Sequence, residues 1–362
     1  MLHLLNNVNS KNIFFSGFAI NLVVILSLVL VILQFILEIN LHRIPYAIVF
    51  IFALFVILQR QYIYKKNITA IIIIFTITTV GLVIVGSTYT STLSPLIYGL
   101  LFFTMMDKKY SFNFVLLYKL LAITIFIELV IINVISDEFF NSFLSKGHEI
   151  IHSSLSSKLG HLIGYEMVVP VTIFNSPQIA SMILVISLFI FNKYTFWWNI
   201  SIIMFFICFS LTSIVMLVFA LCVKNFYKSI IPIFLSTIFF IYLFYSNTLS
   251  FKVYFDMFMI HPLYWWDMSI SEKLFGYPDK QGLLMHRDFG YFSILQDIGL
   301  INALVLIVLN LVLIFKVKNI HAIIVTMLHI SLIHYQVAIS FGVAQIWALH
   351  IAFAMHNKYS YK

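Results

Sequence analysis

The chain has 362 residues, of which 62% are hydrophobic and only 9% charged, and its mean hydropathy is +1.05. These values exclude a soluble globular domain and point to an integral membrane protein. The formal charge of +8 does not mark a nucleic-acid binder, because the basic residues stand singly or in pairs at the ends of apolar runs, where they set orientation in a bilayer.

Two cysteines, Cys208 and Cys222, both lie in apolar segments and supply neither a disulfide framework nor a thiolate metal site. The polar start, Met1 to Phe15, carries Lys11, and the apolar run after it is too long for the core of a signal peptide, so it reads as a retained first span. With about 20 apolar residues needed to cross a bilayer as a helix, spans fall near Phe14–Leu37, Ile44–Leu58, Ile68–Gly86, Leu93–Met106, Phe112–Ile135 and Ile179–Phe191. Others follow near Phe196–Leu211, Ser213–Val223, Ser229–Tyr245, Tyr291–Phe315, Ile320–Ile333 and Ala338–Met355. The expected fold is an all-α polytopic integral membrane protein, one transmembrane domain over 1–362 with about twelve transmembrane helices.

The stretch Phe196–Val223 reads either as two helices joined at Leu211-Thr212-Ser213 or as one long tilted helix, and merging it would reverse the side of everything after it. Charge favours two. With the N-terminus inside, the cytoplasmic connections carry Arg60, Lys65, Lys66, Lys108, Lys109, Lys193, Lys224, Lys228, Lys316 and Lys318, the tail adds Lys358 and Lys362, and Asp107 is the single acid among them. That is the positive-inside pattern. Both termini are then cytoplasmic, and the two long loops, 136–176 and 246–290, are periplasmic.

In the first loop Phe139, Phe140, Phe143, Leu144, Ile150, Ile151, Leu155, Leu159 and Leu162 recur at helical spacing, which predicts an amphipathic surface helix interrupted by Gly147, Gly160 and Gly164. His148-Glu149-Ile150-Ile151-His152 within it matches HExxH, in which two histidines one turn apart bind zinc and the glutamate activates water. No third ligand stands at a metzincin or glutamate spacing, since Leu155 and Lys158 occupy the metzincin positions and Glu166 follows too closely. The motif therefore reads as polar residues at the margin of an amphipathic helix, with no metal or other cofactor expected. Glu128, inside an otherwise apolar span, needs a partner, a proton or a cavity; a charge there costs roughly 2.5–3.5 kcal/mol.

The stretch Ser246–Leu300 is the longest too polar for lipid, and it holds the candidate working residues: His261, Trp265, Trp266, Lys273, Lys280, His286, Arg287 and Asp288, ending at Tyr291. Arg287 is the only arginine after Arg60, and its planar fork suits phosphate, although an interfacial arginine at a helix end is the simpler reading. Trp265 and Trp266, with Tyr264 and Tyr277, suit stacking on sugar rings or an aromatic belt at the membrane surface.

Asp288-Phe289-Gly290-Tyr291, followed by Leu295, Asp297 and Gly299, resembles the O-antigen polymerases of the Wzy type and, more distantly, the O-antigen ligases. In the ligases a histidine opens the same pattern, and Asp288 stands at its position with His286 two residues earlier. Upstream, Trp265 or Trp266 followed by Leu274-Phe275-Gly276-Tyr277 resembles that family's tryptophan and glycine turn, with Pro278 in place of the second glycine. Phe174-Asn175-Ser176-Pro177 resembles the segment leading out of its first outer loop, without the arginine usual before it, and the arginine-led repeats of some polymerases are missing.

The resemblance implies a metal-independent glycosyltransferase at the periplasmic face of the bacterial inner membrane. It would move a growing glycan from undecaprenyl diphosphate to a new lipid-linked repeat unit, in lipopolysaccharide biosynthesis. It implies Asp288 or His286 at the acceptor hydroxyl, Arg287 with Lys273 or Lys280 at the diphosphate, and His261, Trp265, Trp266 and Tyr291 at the substrate. Its partners would be the undecaprenyl diphosphate-linked oligosaccharide, the lipid bilayer and a chain-length regulator protein, with no nucleic acid. An O-antigen ligase and a lipid-linked oligosaccharide flippase are the alternatives, and a membrane zinc protease rests on His148, Glu149 and His152 alone.

Overall fold

Where the sequence shows apolar runs bounded by Asn, Ser or Thr, a computed structural model shows capped helices. It describes residues 94–106, 111–134, 177–208, 210–224, 265–276, 319–332 and 343–356, with isolated positions between 21 and 51 and between 295 and 308. Among the described residues the chain is helical, with no strand. The helices are α1 (Ser94–Met105), α2 (Phe114–Val134), α3 (Pro177–Ile190), α4 (Phe196–Ile207), α5 (Leu211–Lys224), α6 (Ile270–Phe275), α7 (Ile320–Ser331) and α8 (Val343–His356). Seven of the expected spans thus contain helices with closely matching bounds. The spans expected at 68–86 and 229–245 and the surface helix of 136–176 lie outside the described residues, and 14–37, 44–58 and 291–315 are described only at isolated positions.

Side chains just ahead of the helices start them. Asn113 Oδ1 accepts from the Leu116 N–H at 3.0 Å, Ser210 Oγ from the Ser213 N–H at 3.3 Å, and Asn319 Oδ1 from the Ala322 N–H at 2.8 Å. Each relieves one of the backbone donors that a helix N-terminus leaves unpaired, worth about 1 kcal/mol. Inside the helices, hydroxyls turn back on their own backbone: Thr124 to the Leu120 carbonyl, Ser187 to Ile183, Ser201 to Trp197 and Thr326 to Ala322, at 2.8–3.0 Å. An apolar helix can carry these residues without an unsatisfied hydroxyl.

The stretch 196–223 forms two helices. Ile207 and Leu211 bound a break at Cys208–Ser210, a few residues before the expected join. Continued straight, α4 would carry Ser213 about 9 Å past Ile207; instead the Ser213 hydroxyl lies 2.5 Å from that of Ser181 on α3, and α5 packs along α3. The chain turns back at Ser210.

The helices pack in a continuous series. α1 lies along α8, α8 on α7, α7 on α5 and α5 on α3, while α3 also carries α2 and α4. The α1–α8 crossing is tight because Gly99 offers no side chain: a Cβ there would stand 2.8 Å from Ile351 Cγ2 and 3.2 Å from the Ala348 carbonyl oxygen. At one end of this series several helix ends meet. The Phe114 ring is 4.5 Å from His321 and 4.9 Å from Phe353, Phe112 is 6.3 Å from Phe353, and Lys119 Nζ stands 5.4 Å over the Trp197 ring. The chain therefore enters α2, α4 and α7 and leaves α8 on the same side.

α2 is apolar on both faces. Phe114, Leu117, Leu121, Ala122, Ile125 and Leu129 are buried with Tyr118 and Glu128, and Val115, Leu116, Leu120, Ile123, Phe126 and Ile127 are exposed on the opposite side. The other helices of this group run 12–14 residues, about 18–21 Å; α2 has 21 residues and carries Lys119 and Glu128. Among the described residues no helix is long and apolar enough to cross a membrane.

Candidate functional site

Of the residues that the sequence singles out in the second loop, Trp265, Trp266 and Lys273 are described; His261, Lys280, His286, Arg287, Asp288 and Tyr291 lie outside the described residues, as do His148, Glu149 and His152. The described three come together. One helical turn, Trp265–Asp267, ends at Met268, which is buried, and Ser269 then opens α6. Ser269 and Glu272 form a reciprocal capping box, with the Ser269 N–H donating to Glu272 Oε2 at 2.7 Å and the Glu272 N–H to Ser269 Oγ at 3.3 Å. That box sets the pitch of a helix too short to hold itself.

From α6 the Lys273 ammonium reaches back and donates to the Trp266 carbonyl at 2.6 Å. Its Nζ stands 5.6 Å from the Trp265 ring centroid and 5.5 Å from that of Trp266, within cation–π range of both. Trp266 is 74% exposed, Trp265 is half-buried, and Asp267 is exposed. One ammonium proton is spent on the carbonyl; two remain. The result is an open indole face beside a fixed positive charge, which suits a ligand with a flat C–H surface and an anionic group next to it.

Gly276 ends α6 with φ +88, its N–H donating to the Glu272 carbonyl at 2.7 Å. Gly299, at φ +71, abuts this ending: a Cβ on Gly299 would run into the Leu274 carbonyl and stand 2.5 Å from the Gly276 nitrogen. Gly299 and the Leu274–Gly276 backbone, one from each of the two stretches that carry the family resemblance, thus meet directly. Phe275 and Leu295 both pack against the buried core.

A second constellation escaped the sequence reading. Tyr118 on α2, His350 on α8 and His321 on α7 form a buried file: the Tyr118 hydroxyl is 2.9 Å from His350 Nε2, and His350 Nδ1 is 2.9 Å from His321 Nδ1. Phe114 covers both imidazoles, its ring 4.5 Å from His321 and 4.7 Å from His350. The criterion that singled out Glu128, an ionisable residue inside an apolar span, applies equally to His321 and His350. Their pairing with each other and with Tyr118, 232 positions before His350, has no trace in local sequence.

Glu128 is buried on the same face of α2 as Tyr118. Among the described residues no group of three His, Cys, Asp or Glu side chains could hold a metal ion. Cys208 and Cys222 are both free thiols. No protein-family model, no curated protein and no solved structure matches this chain.

Proposed function

We propose that the chain is a multi-pass membrane glycosyltransferase of the O-antigen polymerase type, which moves a growing glycan from undecaprenyl diphosphate to a new lipid-linked repeat unit at the outer face of the inner membrane. The observation that carries this reading is the Trp265–Trp266–Lys273 platform, held by the contact between Gly276 and Gly299. Indole faces stack on the C–H faces of sugar rings, and the ammonium beside them suits the diphosphate that links sugar to carrier.

The bilayer enters through composition and through α2. A helix apolar all round is either buried or lipid-facing; one face of α2 packs inward, and its Leu116, Leu120 and Phe126 side is exposed, as a lipid-facing side would be. The shared end of α2, α4, α7 and α8 is in keeping with the charge-based sidedness, because the helix ends next to the connections expected to be cytoplasmic lie together.

In the reaction the acceptor hydroxyl oxygen attacks the anomeric carbon of the donor glycan as that carbon's bond to the carrier diphosphate breaks. The hydroxyl proton passes to Asp288 or His286, and the leaving diphosphate is held by Arg287 with Lys273 or Lys280. Deleting the gene and examining surface lipopolysaccharide tests the proposal. A polymerase leaves core bearing a single repeat unit; bare core with polymer still on its carrier would instead mean a ligase, and single units stranded on the inner face a flippase. Within a polymerase, Arg287→Ala and Asp288→Ala should each shorten the polymer, and unchanged chain length would remove those roles.

A further inference from the structure

Lys119 is a charge inside an apolar helix. It stands five positions past Phe114 on α2, half-buried, with its ammonium 5.4 Å over the ring of Trp197 at the start of α4. A ring face attracts a cation without neutralising it. Among the described residues the acids are Glu128, Asp267 and Glu272, and none of them pairs with Lys119. Glu128 is nine positions further along α2, a rise of about 13.5 Å.

The turn between α3 and α4 adds a second cation. Lys193 is exposed there, four positions before Trp197, and no acid among the described residues pairs with it either. The turn is tied to the helix it leads into: the Thr195 hydroxyl donates to the Asn192 carbonyl at 2.8 Å and accepts from the Trp198 N–H at 3.4 Å. Two lysines from different elements thus come to the same end of the bundle, with Trp197 between their helices.

Exposed apolar side chains run on from that end along both helices. Leu116, Leu120, Ile123 and Ile127 form one stripe on α2, and Phe196, Ile203 and Phe206 form another on α4. The stripe on α2 spans eleven positions, about 16 Å. Positive charge at one end and hydrocarbon along the rest match a single amphiphile whose polar group is anionic. A second copy of the chain suits the face less well, because a two-fold contact through it would set lysine against lysine.

We propose that this face of α2 and α4 binds an anionic phospholipid, its phosphate held by Lys119 and Lys193 and its acyl chains laid along the two stripes. Basic sites between helices on the cytoplasmic side take such lipids because each lysine there gains a counter-ion. The site rests on the membrane reading above but not on glycosyl transfer.

The test begins with the full chain reconstituted in phosphatidylethanolamine–phosphatidylglycerol vesicles, whose flotation reports whether it is embedded. The chain is then taken into a neutral detergent, and binding of added phosphatidylglycerol or phosphatidylcholine is read by native mass spectrometry, with inorganic phosphate as competitor. The expected result is phosphatidylglycerol held roughly tenfold or more tighter than phosphatidylcholine and not displaced by phosphate. Lys119→Gln and Lys193→Gln should each weaken phosphatidylglycerol roughly fivefold and leave phosphatidylcholine unchanged. Lys65→Gln/Lys66→Gln, which removes the same charge elsewhere, should keep the preference. Lys193 is exposed, so Lys193→Gln reports even where Lys119→Gln does not fold. Equal affinity for the two lipids, displacement by phosphate, an unchanged preference in Lys193→Gln or an equal loss in Lys65→Gln/Lys66→Gln overturns the site alone. A chain that does not float overturns the membrane reading along with it.

Discussion

Gly299 stands so close to Gly276 that a methyl group at position 299 would come within 2.5 Å of the Gly276 nitrogen. The left-handed backbone at Gly299 adds a second penalty for any side chain, about 1–2 kcal/mol. Gly299→Ala should therefore push α6 off its support, lower the melting temperature, and open the 265–276 segment to protease. Shortened polymer should accompany the cleavage if the platform works where it docks.

Trp266 makes the opposite prediction. Its ring is largely exposed, so Trp266→Ala should leave the melting temperature within error while, on the proposed polymerase function, polymer length falls. Lys273→Gln should remove a cation–π contribution of about 0.5–1 kcal/mol and the charge beside the ring, and Lys273→Arg should keep most of both. Glycan chain length on gels, read against purified-protein melting, separates loss of binding from loss of fold.

Ser269→Ala removes the side chain that accepts from the Glu272 N–H. The cost should be about 1 kcal/mol, concentrated in α6 because a helix of six residues has little else to hold it. Hydrogen exchange should rise across 270–275 and nowhere else. Ser269→Asp, which can accept the same bond, should restore protection.

At the α1–α8 crossing, Gly99→Ala places a methyl group 2.8 Å from Ile351 Cγ2 and 2.9 Å from its Cβ. The Cβ belongs to the rigid start of a branched side chain and cannot swing aside, so the helices must part. Overpacking of this kind costs about 1–3 kcal/mol. Pairing Gly99→Ala with Ile351→Ala should recover part of the melting temperature, and a purely additive loss would show that the crossing does not set the spacing.

Helix positions in the apolar runs were legible because hydropathy and capping are local: Asn113, Ser210 and Asn319 each stand just ahead of an apolar run that is a helix, whereas α6, inside a polar loop, was not expected. The join between α4 and α5 was misplaced by a few residues because Ser210, Thr212 and Ser213 all look like starts; only the Ser210 hydroxyl, accepting from the Ser213 N–H, decides among them. The platform was legible as residue types but not as a geometry, since the reach of Lys273 back to Trp266 depends on the capped turn between them. The file of Tyr118, His350 and His321 was not legible at all: hydropathy reports that a residue sits in an apolar run and says nothing of which distant run faces it.

The short turn between α3 and α4 bears on how this hairpin would float in a bilayer. Tyr194 occupies a left-handed conformation, φ +63, and with its ring 5.5 Å from Trp198, and Phe196 5.5 Å from Trp197, it gives the turn a collar of aromatic side chains. Such rings favour the headgroup layer. Because α4 rises only about 1.5 Å per residue, the collar would fix the depth of the pair to within a residue or so, leaving two helices of modest length no freedom to slide.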